Sequence, residues 1–198
     1  MARMPAKDRR RQLLKIAADL FARRGYRGAT TAELARLAGI TQPILYHHFE
    51  HKLDLFISVI DDAGKQIISS WRNALEGIDD PQSRLSALLA GNPATGQPGR
   101  GPCRVILCAM AEARYNPAIR AAVRTHLITL HDFLTDELVQ LQSSGAMRGD
   151  QPANALAWFV IQQALGSDVL SPLGAAKPSR AHDKPDIQRL LEELLSPC

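Results

Sequence analysis

Apolar residues recur along this chain at intervals of three and four, and nowhere as a period-2 run of β-branched residues, so the elements the pattern predicts are helices. Leu13, Ile16, Ala17, Leu20 and Phe21 make the first stripe, behind an Asp8 cap and ahead of a stop at Gly25, with Tyr26 placed to fold back on Phe21. From Lys52 the row Leu55, Phe56, Val59, Ile60, Ala63, Ile67 and Trp71 marks a long helix without proline. Shorter helices are predicted over residues 81–90 and 104–114. Asn116 and Pro117, a cap and a first-turn proline, then open a long helix with Ile119, Val123, Leu127, Leu130, Leu134, Leu138 and Leu141 inside, stopped at 143–145. In the next helix, after Pro152, Leu156, Phe159, Val160, Ile161, Ala164, Leu165 and Val169 spread around more than one face. A last stripe joins Ile187, Leu190, Leu191, Leu194 and Leu195. Residues 91–103, seven of them Gly or Pro, and residues 171–185 read as loops. The fold class is therefore all-α, with about nine helices, three in a first domain and six in a second.

Between the first stripe and the long helix lies residues 30–52, TTAELARLAGITQPILYHHFEHK. Thr30 can accept from the amide of Glu33, and Glu33 can reach back to the amide of Thr30, the reciprocal arrangement of a capping box. Leu34, Leu37, Ala35 and Ala38 form the buried face of the helix that starts there, and Gly39 supplies the left-handed position that ends it. Ile40 tucks under the turn, Thr41 caps a second helix, and Pro43 falls in its first turn. A helix-turn-helix needs a small residue where the helices cross, a turn glycine and an apolar residue from the second helix beneath the first; Ala35, Gly39 and Leu45 fill those places. With Leu45 and Phe49 inward, the outer face carries Gln42, Pro43, Tyr46, His47 and His48, which suit base edges, thymine methyls and phosphates.

Thr30-Thr31, the AxxxGI turn and ITQPILYHHF followed by Lys52 resemble the N-terminal domain of TetR-family transcriptional regulators, over about the first 60 residues and in architecture only beyond. The resemblance implies a three-helix DNA-binding domain over 1–51 and a helical effector-binding and dimerisation domain over 52–198. It implies that Tyr46, His48 and Lys52, with Thr30 and Thr41, hold phosphates, while Gln42, Pro43 and His47 face the major groove and specify sequence. It further implies a homodimer on an inverted-repeat operator in double-stranded DNA, released by a small-molecule effector through movement of the helix that begins near Lys52. The residues expected to bury one subunit against the other are the last two long helices, about 151–170 and 184–195, because the first of them has more apolar surface than one core can cover.

Charge supports this division. Residues 1–52 hold 11 lysines and arginines against 4 acidic residues, whereas residues 53–198 hold 13 against 16. That asymmetry is the footprint of a nucleic-acid-binding domain joined to a body with another task. Arg9, Arg10, Arg11 and Lys15 are placed to meet phosphates, and Arg3 and Lys7 to extend as an arm. No apolar run exceeds seven residues, the length reached at 105–111, against the roughly 18 of a membrane span. Residues 1–11 carry charge without an apolar stretch, and three cysteines are too few for a disulfide framework, so the expected location is cytoplasmic. No cofactor is expected.

Two other chemistries compete, and a further set of residues belongs to the regulator reading itself. His47, Glu50 and His51 match the H-x-x-E-H pattern of inverted zinc peptidases, which needs both histidines on one helix; the regulator pattern accounts for the same residues. Cys103, at a predicted helix start between Arg100 and Arg104, is the candidate thiol for redox or electrophile sensing. Trp71, Met110, Arg114, His126, Phe133, Trp158 and Gln162 put polar tips into apolar stripes and are the candidates for lining an effector pocket.

Overall fold

A computed structural model describes residues 5–90, residues 101–170 and Leu195. Among the described residues the chain forms eight helices and no strand: α1 Ala6–Gly28, α2 Thr31–Leu37, α3 Gln42–His48, α4 Lys52–Leu75, α5 Pro81–Leu89, α6 Pro102–Ala113, α7 Pro117–Ser143 and α8 Ala153–Leu170. The ninth helix predicted over 184–195, with Ile187 and Leu194, lies outside the described residues, apart from helical, buried Leu195. So do Arg3, the side chain of Lys7, Arg100, Cys198, and most of the two predicted loops.

The chain divides into two compact units, one of Met1–Gln66 with Gly99–His126 and the other of Ile67–Pro98 with Leu127–Cys198. Helices α4 and α7 each run from one unit into the other.

In the first unit, α1 starts earlier than predicted. Pro5 occupies the N-cap, and Asp8 instead contributes its carboxylate to the first turn, where it opposes the helix dipole. Gly25, at φ +70°, breaks the helix where a stop was predicted, and a short helical turn carries on to Gly28. Tyr26 folds back on Phe21, ring centroids 6.2 Å apart, and both rings also meet Phe56 of α4. With Leu13, Ala17, Leu20, Leu34, Leu45, Phe49 and Leu55 these rings form one apolar core against which α2 and α3 are held. Cys103, Val105, Ile106 and Ala109 are the buried residues of α6, which packs on α1 and holds Arg27 Nε at 3.3 Å from Glu112 Oε2. Asn116 caps α7 as predicted, its Oδ1 accepting from the amides of Ala118 and Ile119.

In the second unit, Ile67, Trp71 and Leu75 of α4 are buried, as are Leu130, Leu134, Leu138 and Leu141 of α7, while Leu127, predicted inside, is half-buried. Asp80 caps α5 by accepting from the amide and hydroxyl of Ser83, bonds that hold its carboxyl below the usual range. Arg84 donates to the carbonyls of Leu75 and Ile78 and pairs with Glu137 at 2.7 Å, so a single side chain closes the end of α4 and ties the α4–α5 turn to α7. Along α8, Ala153, Ala157, Val160 and Ile161 are buried, and Trp158, Phe159, Val169 and Leu170 are exposed. The predicted excess of apolar faces on this helix is real.

The approach of α7 to Gly64 of α4 is a test of the packing. A Cβ on Gly64 of α4 would come within 2.6 Å of His126 Nδ1 and 2.9 Å of its Cγ. Alanine for glycine inside a helix ordinarily stabilises by about 0.5–1 kcal/mol, but here the His126 ring would have to move from a buried site. Gly64→Ala should therefore destabilise by about 1–3 kcal/mol in urea unfolding, and the extra cost should vanish in a His126→Ala background. A stabilising Gly64→Ala would contradict this packing.

Candidate nucleic-acid interface

Helices α2 and α3 are seven residues each, too short to persist without tertiary support. Their ends are set locally. The Thr30 hydroxyl accepts from Glu33 N at 3.1 Å, one half of the predicted capping box. The other half is not made: Glu33 turns its carboxylate toward Arg24, Oε1 to Nη2 3.8 Å. Gly39 takes φ +64°, and the Ile40 amide donates back to the Ala35 carbonyl at 3.0 Å, which draws the turn tight. Thr41 stands at the N-cap of α3 without a side-chain cap bond, so its hydroxyl is exposed and uncommitted to the helix. At the far end Phe49 leaves the helix in extended conformation, φ −142°, and is buried.

Leu34, Ala35, Leu45 and Phe49 face the core, as the spacing predicts. Leu37 does not: it is 40% exposed on the outer side of α2. Thr41, Gln42, Pro43, Tyr46 and His47 are exposed and His48 half-buried. The structure adds Ile44, which is 46% exposed in the middle of this row. Sequence reasoning passed over it because an isoleucine beside a leucine is read as core; the signal that could have found it is register, since Leu45 and Phe49, four apart, leave position 44 outside.

The outer face is internally braced. Gln42 Nε2 donates to Thr31 Oγ1 at 3.2 Å, and Thr31 Oγ1 lies 3.1 Å from Tyr46 Oη. Arg10 of α1 lays its guanidinium over the Phe49 ring, 4.9 Å to the centroid, and donates to Ser58 Oγ of α4 at 3.0 Å. Arg9 donates to Gln12, and Arg11 stands 4.0 Å from Asp8. Lys15 is exposed. Burial is the main cause that pushes His48 below the ordinary histidine value, and the positive charges of His47, Arg10 and Arg9 push it further the same way. Lys52 holds its ammonium 4.7 Å from the centre of the Tyr26 ring; burial lowers its pKa and Glu112 partly restores it.

The peptidase geometry is not formed. Helix α3 ends at His48 and α4 begins at Lys52, so His47 and His51 do not stand one turn apart on one helix. Glu50 and His51 sit between the helices, both exposed, 3.9 Å apart. Cys103 does occupy the first turn of α6, but its side chain is buried, which withholds the thiol from solvent. Cys108 is part-buried, and its thiol is pushed up chiefly by that burial.

The candidate effector residues divide between the two units. Met110, Arg114 and His126 belong to the first, where Met110 is half-buried, Arg114 is exposed beside the Tyr115 ring, and His126 is buried with no hydrogen bond at Nδ1. Burial pushes His126 toward the neutral form. Trp71, Phe133, Trp158 and Gln162 belong to the second unit: Trp71 is buried, Phe133 lies under Arg72, Trp158 stacks on His131 at 4.7 Å and is 40% exposed, and Gln162 is exposed. A groove of about 410 Å³ in that unit is walled by Arg72, Glu76, Arg84 and Glu137 among others, and none of the seven candidates lines it.

Comparison with known proteins bears on the helix-turn-helix first. Residues 13–59 match the family described as bacterial regulatory proteins, tetR family. The HTH-type transcriptional activator FasR of Mycolicibacterium smegmatis is 40% identical over 85 residues, 43% of this chain and 39% of that protein. The HTH-type transcriptional regulator BetI of Brucella suis is 27% identical over 163 residues, 81% of this chain and 82% of that one. Among solved structures, a transcriptional regulator from Saccharomonospora viridis in complex with choline superposes with a TM-score of 0.75 at 23% identity, covering 94% of each chain. Among the described residues no helix is long and apolar enough to cross a membrane. By its helix-turn-helix, residues 13–59, the chain thus matches the tetR family of bacterial regulatory proteins, and it shares its fold with solved transcriptional regulators over nearly its whole length.

Proposed function

We propose that this protein is a dimeric, sequence-specific DNA-binding repressor that a small-molecule effector releases from an inverted-repeat operator. The observation that carries the reading is the exposed row Thr41, Gln42, Pro43, Ile44, Tyr46 and His47 on a helix clamped from beneath by Leu45 and Phe49. Such a helix fits the major groove, with polar and methyl-bearing side chains presented to base edges. In this proposal residues 1–51 read DNA and 52–198 bind effector and partner subunit. Thr30, Thr41, Tyr46, His48 and Lys52 meet phosphates; Gln42, Pro43 and His47, joined by Ile44, meet bases. The fold neighbour holding choline supports a small-molecule effector. FasR, named an activator, shows that the sign of regulation is a separate question for a transcription assay. The exposed Trp158, Phe159, Val169 and Leu170 support α8 as the dimer face.

Selection of bound sites from random duplexes should return an inverted repeat, with half-sites about one helical turn, roughly 34–36 Å, or a multiple apart. On the selected site Gln42→Ala should cost about 1–3 kcal/mol at one base position, while Lys52→Ala should weaken all duplexes alike and lower the salt slope by about one. Base preference altered by Lys52→Ala would contradict this docking.

Proton uptake gives a second measurement. In the free protein His48 is held below the usual value, so it is neutral at pH 7; a phosphate beside it favours the cation and raises its pKa. The complex then binds more protons than the free protein, and affinity should rise on acidification, by up to about tenfold per pH unit between the raised and lowered values. His48→Gln should remove that share of the slope, and a His48→Gln variant whose pH dependence matches that of the wild type would remove His48 from the phosphate contact.

For the dimer, Phe159→Asp should shift the protein to monomer in light scattering at micromolar concentration and weaken operator binding, with helicity unchanged by circular dichroism. Wild-type protein monodisperse as a monomer would overturn the dimeric reading.

A further inference from the structure

Thr31 lies outside the reading helix, as the first residue of α2, yet its hydroxyl touches two reading side chains. It accepts from Gln42 Nε2 at 3.2 Å and stands 3.1 Å from Tyr46 Oη. A hydroxyl has a single hydrogen and can face either end of a carboxamide, so Thr31 alone does not decide which atom of Gln42 is turned to the bases. The far end of the chain decides it.

Resting on the reading of α3 as the recognition helix, with Tyr46 at a phosphate, the polarity follows from what each group can do. A phosphate oxygen only accepts, so Tyr46 must donate its own hydrogen to it. Tyr46 Oη is then left to accept, and the Thr31 hydrogen satisfies it. With that hydrogen used, Thr31 offers only lone pairs toward Gln42, which an amide N–H fits and an amide oxygen does not. Gln42 is thereby held with one N–H on Thr31, leaving Oε1 and the second N–H for the groove. That acceptor and donor match the N6 amine and N7 of adenine, whereas guanine shows only acceptors at N7 and O6. A carboxamide free to rotate could answer either purine.

We infer that Thr31 is a positioning residue for sequence recognition: the Tyr46–Thr31–Gln42 chain of hydrogen bonds fixes the Gln42 carboxamide so that it selects adenine over guanine at the base pair it faces. Thr31 itself touches no base in this arrangement. Its effect is on discrimination between duplexes rather than on affinity for all of them.

The experiment uses the full-length protein, the duplex selected from random DNA, and its single-pair variants at the position whose preference Gln42→Ala relaxes, read by fluorescence anisotropy in competition. Wild-type protein should prefer adenine to guanine there by roughly tenfold or more. Thr31→Val, nearly isosteric but without the hydroxyl, should bring that ratio to within about twofold of the Gln42→Ala value. Thr31→Ser should keep the wild-type ratio. Tyr46→Phe should reduce the ratio as well, because the Thr31 hydrogen is then free to turn to the Gln42 oxygen. Circular dichroism and thermal melting establish that each variant is folded, and the serine variant separates loss of the hydroxyl from disturbance of α2. If Thr31→Val weakens every duplex by one factor and leaves the ratio intact, or changes nothing, Thr31 is a scaffold or phosphate residue and the inference falls while the docking stands. If Gln42→Ala changes no base preference, the docking itself is wrong and the inference falls with it.

Discussion

Burial of Leu45 and Phe49 is the constraint on which the proposed reading surface depends. A helix of seven residues has almost no stability of its own, because nucleation fixes several residues before many hydrogen bonds repay it. Each of the two side chains is at most 2% exposed, and burying such a residue stabilises by about 1.5–3 kcal/mol. Phe49 matters doubly because it stands after the helix has ended, where the extended backbone turns its ring back into the core. Arg10 covers that ring from α1 and reaches Ser58 on α4, so three helices converge on one phenylalanine. Loss of this anchor would leave the outer row chemically intact and geometrically useless.

How much of this was legible follows from how local each signal is. The Thr30 cap, the Gly39 turn and the cap position at Thr41 act within four residues of themselves, and all three lie where the sequence put them. The reading failed where a partner distant in sequence competes. Glu33 was expected to return to the Thr30 amide, but Arg24, nine residues earlier, takes its carboxylate. Leu37 was assigned to the core by periodicity, yet the short α2 buries only Leu34 and Ala35, and the stripe ends before position 37. Thr31 has no separate role in the sequence pattern because its neighbour holds the capping position; its own contacts reach 11 and 15 residues ahead.

The effector residues were harder to read for the same reason. A polar residue in an apolar stripe has two outcomes that periodicity cannot separate: it is drawn inside by a neighbour that leaves room, or it remains at the rim. His126 shows the first, buried because Gly64 has no side chain to exclude it, and Gln162 the second. The deciding residue for His126 is a glycine 62 positions away, on a helix whose pattern gives no sign of it. Apolar excess is easier to read than polar placement. The several hydrophobic faces of α8 required no partner to identify them, and the exposed Trp158 and Phe159 are their direct consequence.

Among the described residues of the helix-turn-helix region, several of the positive charges are engaged within the protein. Arg23 pairs with Asp19, Arg24 with Glu33 and Arg27 with Glu112, while Arg10 and Lys52 rest on the rings of Phe49 and Tyr26. These arrangements are weakly held: exposed ion pairs contribute about 0–1 kcal/mol, and exposed cation–π contacts about 0.5–1 kcal/mol. Exchanging such a partner for a phosphate is cheap, and the release of condensed counterions from the duplex favours it. A cation's internal partner therefore does not bar it from DNA; what decides is whether its stem reaches a phosphate in the proposed docking of α3. For Lys52 and Arg10 that reach is set by the aromatic rings on which they rest, so the apolar core beneath the helix-turn-helix fixes the placement of these two charges around it.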